Sequence, residues 1–126
     1  MGNLTKKALR LSLKKVWYIM TSRYDKIEEY RELTPYWYAR LCLYDNLPKT
    51  QKFWTKYIVG YGSFDSDLVT FKNFDYNIMT LGYQKKSEVQ RVKVFNHVGI
   101  RIDYGKKEWG AVEGVKYFVI THGEML

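Results

Sequence analysis

The polar and apolar positions of the chain change period several times. From Ala8 to Lys14, Leu9, Leu11 and Leu13 alternate with Arg10, Ser12 and Lys14, which predicts a strand with one buried face. Lys15–Ser22 reads as a short helix with Val16, Ile19 and Met20 on one side. After a charged bend at Arg23-Tyr24-Asp25, residues 26–33 alternate again. Ile27, Glu29, Arg31 and Leu33 share one face, and Lys26, Glu28, Tyr30 and Glu32 share the other. If the first face points inward, a carboxylate and a guanidinium enter the interior together.

Thr34 and Pro35 form a helix start, an N-cap followed by a residue suited to the first turn. The helix runs toward Leu43 and is broken by Asp45-Asn46-Leu47-Pro48. Residues 49–57 read as a loop or short helix in which Lys49, Lys52 and Lys56 interleave with Phe53 and Trp54. Gly60-Tyr61-Gly62 marks a turn. Leu68–Phe71 and Tyr76–Tyr83 read as strands, and Ser87–Ile102 reads as a long strand. On that strand Val92, Val94, Val98, Ile100 and Ile102 share one face, and Arg91, Lys93 and Arg101 share the other. Asn96 interrupts the apolar face, and Gly99 suits a bulge or bend. A loop over Gly105–Gly114 and a closing strand over Val115–His122 complete the chain. The fold class expected is α+β, a small mixed β-barrel of five or six strands with two or three helices, in a single domain over residues 1–126.

Charge narrows the choice of partners. The net charge is +8, and residues 1–40 carry nine basic against four acidic side chains. This favours an acidic partner such as RNA or DNA, or serves as a solvated surface. Twelve Tyr, six Phe and four Trp suit a β-rich core, or a surface on which bases stack. Trp37, Tyr38, Trp54 and Trp109 are the stacking candidates, with Trp109 read more readily as a plug at one barrel end. The single cysteine, Cys42, lies in an apolar run and reads as core. A reducing, cytoplasmic setting is expected, with no membrane span, no signal peptide and a poor match to a myristoylation site. His97 and His122 lack metal-site spacing, so no metal and no cofactor are expected. Phosphate-binding loops, nucleophile elbows and zinc-protease motifs do not occur.

The segment Tyr24-Asp25-Lys26-Ile27-Glu28-Glu29-Tyr30-Arg31 resembles the G-x-K-x-x-E-x-R motif of ASCH domains, within the PUA-like superfamily. Lys26, Glu29 and Arg31 match, and Tyr24 replaces the glycine, which implies a turn built differently. Leu11-Ser12-Leu13-Lys14, Glu32 to Trp37, and the tail segments Gly105 to Ala111 and Tyr117 to Glu124 are similar to a bacterial and phage subgroup. The resemblance implies a PUA-like barrel with a cleft beside the motif and recognition of RNA or a modified nucleoside. Some of these proteins are small amidohydrolases of N-acetylated cytidine that use a Lys, a Thr two residues before the Arg, and a distal Glu. Here the Lys is Lys26, and Glu29 stands at the Thr position. Nuclease activity is also associated with the family.

These features make Lys26, Glu29, Arg31, Trp37 and Trp54 the ligand-binding candidates. Arg31 and Glu29 would read the ligand, and Lys26 would contact phosphate. Lys26 and Glu29 are also the candidates for catalysis, should the chain be an amidohydrolase or nuclease. A structural Glu29–Arg31 pair is the competing explanation. A phage-type module that binds another protein through aromatic and basic residues is a further reading.

Overall fold

A computed structural model describes residues 7–61, 67–82 and 91–126. The alternating leucines form β1 (Ala8–Leu13), with Leu9, Leu11 and Leu13 buried and their neighbours exposed. Helix α1 (Lys15–Ser22) follows, then β2 (Glu28–Arg31), α2 (Pro35–Leu41) and β3 (Cys42–Tyr44). Next come α3 (Gln51–Tyr61), β4 (Val69–Phe71), β5 (Tyr76–Leu81), β6 (Val92–Tyr104) and β7 (Lys116–Met125). The fold is α+β, as the periodicity predicts. A five-stranded mixed sheet in the order β1-β5-β6-β7-β2 curls into a half-barrel, and β3 and β4 form a separate ribbon. No helix among the described residues is long and apolar enough to cross a membrane.

Long-range pairing places the strands. β1 runs parallel to β5, with Ala8 opposite Tyr76 and Leu13 opposite Leu81. A parallel pair needs a long crossover, and everything from α1 to β4 lies in it. β2 runs antiparallel to β7, with Glu29 opposite Ile120 and Arg31 opposite Phe118. The two earliest strands are therefore the two edges of the sheet.

Helices α2 and α3 close the core. Tyr38 on α2 packs its ring 5.2 Å from Trp54 on α3 and 4.9 Å from Phe118 on β7. Thr34 caps α2 by accepting the Trp37 amide, and Pro35 occupies its first turn. Asp45 and Asn46 both adopt positive φ in the turn that follows β3, where short polar side chains tolerate the left-handed form.

Several local expectations are corrected. On α1 the buried residues are Tyr18 and Thr21, while Val16 and Ile19 are exposed, so the inward face is rotated from the expected one. Of the loop or short helix expected over 49–57, the helix forms, and it extends from Gln51 to Tyr61. β6 does not keep one apolar face. Its register against β7 shifts between Phe95 and Gly99, so Phe95 is buried at one end and Ile100 and Ile102 pack on the core at the other. Val92 and Val98 are exposed as a result. Gly99 lies at the irregularity, as expected. Tyr83, Ser87–Gln90 and Gly62, parts of two expected strands and a turn, lie outside the described residues.

Tyr24 is informative. Its φ is 61°, the left-handed conformation that favours glycine. The turn before β2 therefore takes a glycine-like form with a tyrosine in it. Its ring packs edge-on against Phe95 at 5.8 Å, and its hydroxyl accepts the amide of Met125.

Candidate functional site

An edge strand leaves backbone groups unpaired, and a curled sheet brings its two edges toward each other. β1 bonds to β5 through Leu11 and Leu13, whose carbonyls accept from Thr80 and Gly82. The carbonyls of Arg10 and Ser12 face the other way, toward the open edge. Two arginines occupy them. Arg31 Nη2, from β2, donates to Ser12 O at 3.0 Å, and Arg40 Nη2, from α2, donates to Arg10 O at 2.9 Å. Arg31 thus bridges the seam between the two sheet edges. Beside this seam opens a cleft of about 760 Å³, within the usual range for small-molecule sites, roughly 300–1,000 Å³.

The cleft wall on the β2 side is made by Glu29 and Arg31, two residues apart and therefore on one face. Glu29 is 3% exposed. Its Oε1 receives Lys26 Nζ, which also donates to Glu28 O at 2.5 Å. Its Oε2 is buried without a hydrogen bond, and Arg31 Nη1 stands 3.8 Å away. Burial pushes the Lys26 ammonium below its usual pKa, and the Glu29 carboxylate opposes that shift. Burial likewise lowers the pKa of Arg31, again against Glu29.

Lys26 corrects two expectations. It precedes β2 rather than lying in it, so the chain turns its side chain inward beside Glu29, and Ile27 is the exposed neighbour. Lys26 is 1% exposed and lies behind Glu29, outside the cleft lining. It holds the carboxylate in place and makes no phosphate contact from there.

Trp37, in the first turn of α2, gives the cleft a flat cationic face. The Arg31 guanidinium lies 5.2 Å from its ring centre and that of Arg40 4.7 Å, the latter placed by the three-residue helical spacing. Tyr36 adds a second ring 5.7 Å from Arg40. Each guanidinium has five N–H donors and spends two on protein acceptors. Lys14 lines the same cleft and Glu32 is the only other acidic residue in its lining, so the wall is net cationic.

The rim comes from the β6–β7 connection. A 3₁₀ turn at Lys107–Trp109 ends at Gly110, whose φ is 97°. A Cβ there would fall 2.9 Å from the Trp17 ring, so the position demands glycine twice over. Trp109 lines the cleft half-buried, with Lys106 Nζ 4.2 Å above its ring, rather than plugging the barrel.

Of the candidates read from the sequence, Glu29, Arg31 and Trp37 meet at the cleft, and Lys26 stands behind them. Trp54 does not join them. It is 0% exposed, within an aromatic cluster with Tyr38, Phe53 and Tyr57, so no ligand reaches its faces. Tyr38 is equally buried. Arg40 and Trp17 were not singled out by sequence. Arg40 sits three residues after Trp37, a spacing that could have pointed to it. Trp17 had no such signal.

Away from the cleft, Asn77 bridges both histidines, with its Nδ2 2.8 Å from His122 Nδ1 and its Oδ1 2.7 Å from His97 Nδ1. Among the described residues no group of three or more His, Cys, Asp or Glu is placed to hold a metal ion. Cys42 is buried in the core, which pushes its thiol up to about 12.

Comparison of the chain with family models, with curated proteins and with solved structures finds no match.

Proposed function

We propose that the chain binds RNA, or a nucleobase-bearing fragment of it, in the cleft between β1 and β2. The observation that carries this reading is the pair of guanidiniums, Arg31 and Arg40, sharing the indole of Trp37 beside the buried carboxylate of Glu29. Two like charges on one ring favour an anion between or above them. Flat aromatic and guanidinium surfaces suit a base, and unspent N–H donors suit a phosphate. The resemblance to ASCH domains supports the same reading, because two of the matched motif residues, Glu29 and Arg31, line this cleft and the third, Lys26, stands behind Glu29. In this reading Lys26 acts through Glu29, and Arg31, Arg40 and Lys14 contact the phosphate backbone.

Fluorescence anisotropy with a short single-stranded RNA tests the proposal. Three phosphate contacts predict a slope of log K against log salt of about −2. Arg40→Ala should flatten that slope, and Trp37→Ala should weaken binding at every salt concentration. Absence of binding at low salt would overturn the reading.

A further inference from the structure

The Glu29 carboxylate is unusual in being buried with one oxygen satisfied and the other bare. Oε1 is engaged by Lys26, while Oε2 has no hydrogen-bond partner and belongs to a residue that lines the cleft. A buried charged acceptor without a donor is costly, so the cleft is built to receive one. Arg31 Nη1 lies 3.8 Å from that oxygen, too far for a hydrogen bond between them. Nη1 carries two N–H groups and spends one on Tyr30 O. Side by side, then, the wall offers a charged acceptor and a charged donor. Together they place an acceptor and a donor on one wall, each held by its neighbours.

We infer that this acceptor–donor pair reads the hydrogen-bonding edge of a nucleobase. The ligand must carry an N–H donor directly beside an acceptor, as in a ring amidine (N=C–NH₂) or a lactam (O=C–N–H). The donor meets Glu29 Oε2, and the acceptor meets Arg31 Nη1. The inference rests on the proposed function and names the chemistry the cleft selects. Lys26 Nζ, bonded to Glu29, is 5.9 Å from the ring centres of both Trp17 and Tyr30, and both residues line the cleft. Lys26 fixes Glu29 in place through Oε1, which leaves Oε2 for the ligand.

The test is calorimetric titration of the wild-type protein with nucleoside 5′-monophosphates and their edge-methylated counterparts. The pairs are uridine with N3-methyluridine, cytidine with N4,N4-dimethylcytidine, and adenosine with N6,N6-dimethyladenosine. Each methyl removes the donor and keeps the ring and the phosphate. Losing such a two-bond contact should weaken binding about tenfold or more for the base that binds best. Equal affinity for methylated and unmethylated partners would overturn the edge-reading inference while leaving the proposed cleft intact. Failure of every monophosphate to bind, where the single-stranded RNA also fails, would overturn both. RNA binding with no response to the same methylations placed in the oligonucleotide would overturn the inference alone.

Discussion

Replacing Lys26 by methionine keeps most of the side chain's volume and removes its charge. Lys26 is 1% exposed and its partner Glu29 3%. In the variant, Glu29 loses the ammonium that engages Oε1, and Glu28 O loses its side-chain donor. The remaining cation, Arg31, stands 3.8 Å from Oε2. Breaking a buried pair from one side costs about 3–5 kcal/mol, because the other charge is left without compensation. Typical domains have only about 5–15 kcal/mol in total, so Lys26→Met should shift the unfolding midpoint far to lower denaturant. Urea titration followed by tryptophan fluorescence measures this. The double variant Lys26→Met/Glu29→Leu removes both charges and should recover most of the loss, since apolar replacement of a buried pair is often neutral or stabilising. The reasoning fails if Lys26→Met unfolds within about 1 kcal/mol of wild type at an unchanged slope. It also fails if the double variant is no more stable than the single one, because the loss would then come from packing and not from the orphaned carboxylate.

Burial, followed by the nearby charges of Lys26, His97 and Arg31, holds the His122 imidazole down to about 3. The unfolded chain takes up that proton near the ordinary value of 6.5. Stability should therefore fall as pH drops from 6.5 toward 3, by on the order of 4 kcal/mol from this residue, and an unaltered acid limb in His122→Gln would refute the assignment. Tyr24 adopts φ 61°, so Tyr24→Ala should be less stable than Tyr24→Gly by about 1 kcal/mol in urea unfolding, although both lose the ring. Equal midpoints would show that the turn relaxes.

Local alternation was legible wherever strand and pattern coincide. Leu9, Leu11 and Leu13 needed nothing beyond period two, and Thr34-Pro35 marked its helix start. The readings that failed did so where tertiary structure resets the phase. Lys26 and Ile27 alternate with the strand in sequence but precede it in space, so the inward residue is the charged one. The irregularity around His97 reverses the faces of β6, which no window across it could show. On α1, Trp17, Tyr18 and Thr21 form the inward side because the sheet lies there, although Val16 and Ile19 are as apolar. Part of the site was visible as the Lys26, Glu29 and Arg31 spacing. The cleft itself was not, because Ser12 and Arg31 meet only when two sheet edges curl together. Trp54 and Trp37 are alike in sequence, and only packing separates the core indole from the one beside the seam.

The strand order has a kinetic consequence. β1 and β2 are synthesised first, yet each hydrogen-bonds to a strand made much later, β5 and β7 respectively. During translation the early segments have no ladder to join, and their apolar faces wait on the second half of the chain. Closing such distant contacts is the slow step of folding. The pairing of β2 with β7 needs residues up to Thr121, so Glu29 and Arg31 are set in place only after β7 has emerged. A chain halted before β7 would thus carry the motif without its cleft.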